Sequence, residues 1–312
     1  MKKYIVAFLI GIVAFVFFKL KFNPESILLR HLEKKYNKEF VIAYSGERSD
    51  GRSKWFEAEI YPKELVGTTR EYDKYYWAKG FVEDGKGGDT YGGVLLNESA
   101  NKFYLPKLKE LFGKNVLPIL NVEGYYEKTD FQEEMARRRE FYKKDPKGNF
   151  FPISGGIYIF GRVESDEDRE WYRKQIYEFV QFMKETGTFE YVALPINVLD
   201  ERVLSKEFQE NIELQQKLVD MGLKNKRKNV EIFRRERRRL MNELPKNLTP
   251  YVKLEEINKT EIRNSVKWSV YNNLLTTGIY SPKYVESNSL EEEYGIKNYD
   301  KLSDVSFTYE EY

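Results

Sequence analysis

The chain has no cysteine and a single histidine, His31, among its 312 residues. The first absence excludes disulfides, thiolate metal sites, a cysteine nucleophile and a lipidated-cysteine anchor. The second excludes any site built on two or three histidines of one chain and leaves His31 as the sole imidazole for a Ser-His-Asp mechanism. An excess of charge is missing too: 52 basic against 50 acidic residues give a net charge of +2. That balance argues against a general nucleic-acid binder, whose footprint is a large basic surplus. Hydrophobic residues at 41% permit a packed core, and charged residues at 33% supply a soluble surface, so the composition is that of a folded protein.

Long apolar runs are absent except at the start, "MKKYIVAFLIGIVAFVFFKLKF". Its core is Ile5, Val6, Phe8, Leu9, Ile10, Ile12, Val13, Phe15, Val16, Phe17 and Phe18, with Ala7, Gly11 and Ala14 between them. A basic start and a short apolar run suit a secretory signal, but the exit Phe17-Phe18-Lys19-Leu20-Lys21 offers no small residues for cleavage. The run from Ile5 to Phe18 would rise about 21 Å as a helix, and extension from Tyr4 to Phe22 brings it to about 28 Å. That nearly spans a hydrocarbon core of roughly 30 Å, with flanking lysines snorkelling to the headgroups. The expectation is a retained signal-anchor helix over residues 1–22, with residues 4–22 in the bilayer. Lys2, Lys3 and the amino terminus favour a cytoplasmic start, which puts the rest of the chain outside.

Beyond the anchor the pattern predicts an α+β protein with a mixed or antiparallel sheet and packed helices, in blocks 23–113, 114–200 and 201–312. Asn23-Pro24 predicts a helix start, and Ile27, Leu28, Leu32 and Tyr36 form its apolar stripe. "EFVIAYS", "KWFEAEIYP" and Lys74–Glu83 predict three strands, Asp84–Gly93 ("DGKGGDTYGG") a mobile hairpin loop, and Pro106–Phe112 a short helix. In the second block "VLPILNVEGYY", "GGIYIFGRV" and "TFEYVALPINV" predict strands. Between them fall a helix capped by Asp130 and one capped by Ser165 with Asp166, Glu167 and Asp168 in its first turn. The last two of those strands with the Ser165 helix form a β-α-β unit, which implies a parallel pair. Residues 203–244 predict a charged long helix or helical hairpin with a break near Gly222–Asn225. "PYVKLEE", "SVKWSVY" and "VSFTYEEY" predict strands around a polar, irregular stretch.

The stretch "LEKKYNKEFVIAY…KWFEAEIYPKE" resembles a pattern in uncharacterised exported bacterial proteins. There a helix ending Lys-Tyr-x-x-Glu-Phe feeds an antiparallel sheet just after a signal or anchor. Lys35, Tyr36, Glu39 and Phe40 match it within residues 24–64. The resemblance implies an exported α+β domain and transfers no catalytic residue.

Candidate sites each have a plain structural reading. His31 sits between Leu28 and Leu32, where a boundary histidine is commonplace. The glycine-rich Asp84–Gly93 lacks the Lys-Ser/Thr ending of a phosphate loop. Glu57 with Glu59, Asp166 with Asp168, and Glu291 to Glu293 offer carboxylate pairs for glycoside hydrolysis or a hard cation, although Glu57 and Glu59 alternate with an apolar face as a strand's solvent side does. Between Lys224 and Leu244, Lys224, Arg227, Lys228, Arg234, Arg235, Arg238 and Arg239 fall on one side of a helical wheel and Phe233, Leu240 and Leu244 on the other. Such a basic amphipathic helix suits anionic lipid, or packs on its own domain with solvated arginines. Tyr75-Tyr76-Trp77, Tyr125-Tyr126 and Trp268 with Tyr271 offer aromatic surface for a partner. No cofactor, metal set or catalytic residue follows from these patterns.

The function expected is a membrane-anchored, extracytoplasmic and non-enzymatic binding protein whose partners are the bilayer and an anionic lipid or a protein. The alternatives are a carboxylate-based, glycosidase-like hydrolase at the cell envelope and a cytoplasmic, membrane-tethered binder of anionic lipid or nucleic acid through residues 224–239.

Overall fold

The structure, a computed structural model, describes residues 23–124, 129–145, 151–225, 230–245, 248–249, 251–264 and 273–310. The anchor expected over residues 1–22 lies outside them. Among the described residues no helix is long and apolar enough to cross a membrane. The chain divides into two compact units at Val94/Leu95.

The first unit opens with helix α1, Pro24–Tyr36, started by the Asn23 side chain accepting from the Glu25 N–H and stopped by Asn37 in the left-handed conformation. Its stripe buries Leu28 and Leu32 completely, worth about 1.5–3 kcal/mol each. Strands β1 (Phe40–Ser49), β2 (Lys54–Pro62), β3 (Ala78–Glu83) and β4 (Lys86–Asp89) form an antiparallel meander in chain order. Two glycines let α1 settle on it: a Cβ at Gly80 would stand 2.7 Å from Leu28, and one at Gly87 2.7 Å from Cβ of His31. Two expectations are corrected here. Lys74–Tyr76 is a 3₁₀ turn capped by Asp73, so the third strand begins only at Ala78. The expected loop Asp84–Gly93 is a two-residue turn, then edge strand β4, then the start of helix α2, Tyr91–Phe112.

Helix α2 also corrects the short helix expected at Pro106, because that proline lies inside a long helix and does not start one. Within the second unit α2 buries Leu96, Ala100, Tyr104 and Leu108 at four-residue spacing. The sheet of this unit has the order β5-β6-β7-β8-β9: β5 (Val116–Val122), β6 (Ile153–Gly161), β7 (Ala193–Asp200), β8 (Asn273–Tyr280) and β9 (Tyr309–Glu310). Helices α3 (Phe131–Lys144) and α4 (Asp166–Glu185) lie between its first strands in sequence. β6 and β7 pair in parallel around the α4 crossover, and the other pairs are antiparallel. Ser165 and Asp168 close a capping box at the head of α4. One core joins Val116, Leu120, Ile157, Ile159, Leu194, Ile196 and Val198 to Tyr104, Phe131, Ile176, Phe179 and Met183. Leu117, Ile119, Phe160 and Leu199, which alternate to the other face, are buried as well.

The edge strand β5 is guarded by side chains. Asn101 accepts from the Leu120 N–H at 3.1 Å and Asn97 from the Val122 N–H at 2.7 Å. Four residues of helix rise about 6 Å, close to two residues of strand, so one helix face satisfies alternate edge donors.

After β7 come a 3₁₀ turn, Glu201–Leu204, and helices α5 (Lys206–Glu210), α6 (Ile212–Asn225) and α7 (Val230–Met241), with α6 and α7 packed on each other. Residues 226–229 between them lie outside the description. "PYVKLEE" holds a 3₁₀ turn, Leu254–Glu256, in place of a strand, and "SVKWSVY" lies outside the described residues. A short helix α8 (Lys259–Asn264) precedes β8, a strand that the sequence pattern does not announce. The stretch expected to be irregular contains α9 (Pro282–Ser287) and α10 (Glu291–Tyr294), and "VSFTYEEY" contributes only β9. Residues 201–312, expected as a charged helical segment with a strand-containing extension, supply β8 and β9 to the sheet begun by β5.

Candidate functional site

In the first unit the polar centre is Asp89, at the end of β4, with its side chain fully buried. Its Oδ2 is 2.8 Å from His31 Nε2 and accepts from Lys35 Nζ at 2.9 Å. Its Oδ1 accepts from the Tyr36 hydroxyl at 2.6 Å and the Tyr91 N–H at 3.0 Å. Burial would push the Asp89 carboxyl up, but the hydrogen bonds from Tyr36, Lys35 and His31 outweigh it and hold it below its usual range. Burial, then the carboxylate, drives the Tyr36 phenol up. The spacing of His31, Lys35 and Tyr36 on α1 places all three donors over one strand end. A carboxylate-oriented imidazole is half of a general-base arrangement. The four contacts of Asp89 tie α1 and the first residue of α2 to the end of β4.

The sheet face away from α1 is exposed at Tyr44, Arg48, Lys79 and Phe81. Alternation places Tyr44, Arg48, Glu57, Glu59, Lys79 and Phe81 on it. Tyr44 is 67% exposed and lies 6.3 Å from Trp77, which stacks on Tyr61 at 5.0 Å. Glu57 pairs with Arg48 and Lys79, and Glu59 with Lys74. The result is an aromatic strip bordered by paired charges.

In the second unit charged side chains gather at the carboxyl ends of β6 and β7. Asp200 and Gly161 end the two strands in register. The Arg202 guanidinium grips the Asp200 carboxylate in a fork, with Nη2 at 2.6 Å, and its Nη1 donates to the Met241 carbonyl and the Asn242 side chain. Arg237 of α7, 1% exposed, reaches the same carboxylate at 3.4 Å. Burial opposes the Asp200 charge, but the two arginines hold the carboxyl below its usual range. With Arg162, Glu164, Arg238 and Leu274 these groups line a cleft of 240 Å³. Next along the chain, Glu201 has its carboxyl pushed up by burial and lines a separate cleft of 490 Å³ with Lys109, Lys114, Ser205 and Glu255. A further buried ion cluster, Glu134 with Arg137 and Arg138, ties Arg138 to the carbonyls of Phe151 and Glu123.

The residues singled out in the sequence fall unevenly. Ile5 to Phe18, Arg227 and Lys228 lie outside the described residues. Lys224 lies on α6 and Arg234 on α7. Arg235 and Arg239 are exposed, with Arg239 paired to Glu236 and Glu243, while Arg238 lines the smaller cleft. Leu240 and Leu244, on the apolar side of the wheel, are buried. Asp168 is occupied in the α4 cap and Asp166 by Arg169. Asp89, Asp200, Arg202 and Arg237 escaped the sequence reading, since each acquires its partners through tertiary contacts or a strand-end turn. The Asp-x-Arg spacing after β7 was the one local signal. Among the described residues no group of three or more carboxylates or imidazoles is placed to hold a metal ion.

No family model matches the chain, and no curated protein matches it. Among solved structures it is similar to the crystal structure of a DUF5037 family protein from Ruminococcus gnavus ATCC 29149. The identity is 12%, over 56% of this chain and 75% of that one, with a TM-score of 0.37. A superposition of that quality fixes neither fold nor function. The class of protein is therefore set by the architecture alone, an α+β chain with two sheets.

Proposed function

We propose that this chain is a membrane-anchored binding protein, standing on the outer side of a bacterial membrane and engaging a partner protein through the open face of its first sheet. The observation that carries this reading is the aromatic strip Tyr44–Trp77–Tyr61, exposed at Tyr44 and bordered by Arg48, Lys74 and Lys79. Tyrosine, tryptophan and arginine are the residue types that concentrate binding energy at protein interfaces. The apolar run at residues 4–22 supplies the anchor in this reading. A photo-crosslinking residue placed at Tyr44 in intact cells tests it. One adduct of defined mass is expected, with none from the same probe at Glu292 on α10. The adduct should lose about tenfold or more in yield in Trp77→Ala, since truncating such an anchor residue costs ~2 kcal/mol or more. No adduct at Tyr44, or one indifferent to Trp77, overturns the reading.

One observation favours the hydrolase alternative, and it is not the pair Glu57–Glu59, whose carboxylates are taken up by Arg48, Lys79 and Lys74. It is Glu201, whose carboxyl is pushed up by burial and which lines a cleft that Glu255 also lines. A raised carboxyl is what a general acid requires.

A further inference from the structure

At the carboxyl ends of the parallel strands β6 and β7, four arginines line one small cleft: Arg162, Arg202, Arg237 and Arg238. We infer that this cleft binds a phosphate monoester. The lining sets those four guanidiniums against two carboxylates, Asp200 and Glu164. Asp200 is 1% exposed and already shared by Arg202 and Arg237, which are 8% and 1% exposed. Gathering buried guanidiniums around one carboxylate carries a desolvation cost, which an anion seated on the same cluster offsets.

The geometry suits an oxyanion. Arg202 is held rigid by Asp200, the Met241 carbonyl and Asn242, so it forms a fixed floor. Arg162, on the chain leaving β6, and Arg238, on α7, line the same cleft. Planar guanidinium forks match the paired oxygens of a phosphate. Arg162 is paired with the exposed Glu164, a contact that a dianion would replace. The position is the one where sheets with parallel strands take ligands, beyond the strand carboxyl ends. At 240 Å³ the cleft lies below the usual range for drug-sized ligands and selects the phosphate head over a large body attached to it.

The test uses the full chain in mild detergent, titrated with inorganic phosphate against chloride at constant ionic strength. A saturable rise in Tm is expected. The double variant Arg162→Gln/Arg238→Gln should raise the Kd for phosphate by about tenfold or more. Glu164→Gln removes the competing carboxylate and should tighten binding several-fold, which keeps the test decisive if the double variant folds poorly. Short-chain phosphatidic acid, set against short-chain phosphatidylcholine in the same detergent and read by Tm, separates the sources of the group. A Tm rise with free phosphate that follows the variant pattern above assigns a soluble ester. A rise with phosphatidic acid alone, lost in the double variant, assigns a lipid headgroup. No binding in either arm, binding that survives the double variant, or weaker binding in Glu164→Gln overturns the inference.

Discussion

Buried carboxylates set how this protein responds to acid. Asp89, Glu134 and Asp200 are each opposed by burial yet held below their usual range by the donors around them. For a carboxyl depressed on folding, the stabilisation is complete above the unfolded value of about 4 and is lost as pH falls through the folded one. Glu201 carries the opposite sign. Burial raises it, so the folded state favours its proton, and its contribution falls as pH rises from about 4.5 through the folded value. In urea unfolding across this range, Asp89→Asn should lose about 2 kcal/mol at neutral pH, because an amide cannot serve all four donors that Asp89 accepts from. It should also flatten the acid limb, whereas Glu201→Gln should remove the decline above about pH 4.5. An acid limb in Asp89→Asn identical to wild type would count against the role given to this carboxylate. No sequence pattern marks Asp89: its partners His31, Lys35 and Tyr36 lie 58, 54 and 53 residues away, and it sits in a string of glycines that suggests a loop.

Elements whose ends carry their own chemistry were legible. α1 has Asn23-Pro24 at its head and Asn37 at its tail, α4 has Ser165 with Asp168, and β2 alternates apolar with charged residues. Those that failed depend on neighbours. β4 is Lys-Gly-Gly-Asp and pairs because β3 lies beside it, and β8 contains Thr-Thr-Gly, a turn-like signal overridden by burial between β7 and β9. In α2 Pro106 mimics a helix start, although a face from Leu96 to Leu108 holds the helix through it. The glycines of the first sheet make the clearest prediction at this scale. Gly80→Ala forces a methyl to 2.7 Å from Leu28 and should cost about 1–3 kcal/mol by overpacking. Adding Leu28→Ala should restore part of that loss, so a double-mutant cycle gives a coupling of about 0.5 kcal/mol or more. Strict additivity would show that α1 does not press on Gly80.

For the whole molecule the α+β class was legible, while the division at Val94/Leu95 was not, because the long helix α2 begins in one unit and ends in the other. The candidate binding surface was half legible. Trp77 stands in an aromatic cluster that the sequence displays, but Tyr44 joins it only after a register shift between Ile42 and Tyr44 turns β1. The proposed topology has a direct check. An export-dependent reporter fused after Tyr312 should be active, and the native chain should keep its first 22 residues by intact mass. A reporter active only in the cytoplasm, or a mature chain starting near Glu25, would remove the anchored, external reading. The strand order has its own effect on how the chain is made. The first sheet is a meander whose neighbours are consecutive, so it can close as soon as residue 89 has been synthesised. The second sheet seats β8 against β7 only after the segment from Lys206 to Asn264 has passed. Until then β7 offers a bare, apolar strand edge to its surroundings, and such long-range closure is slow. During biogenesis the interval between Asp200 and Asn273 is therefore the window in which the β7 edge waits for its partner strand.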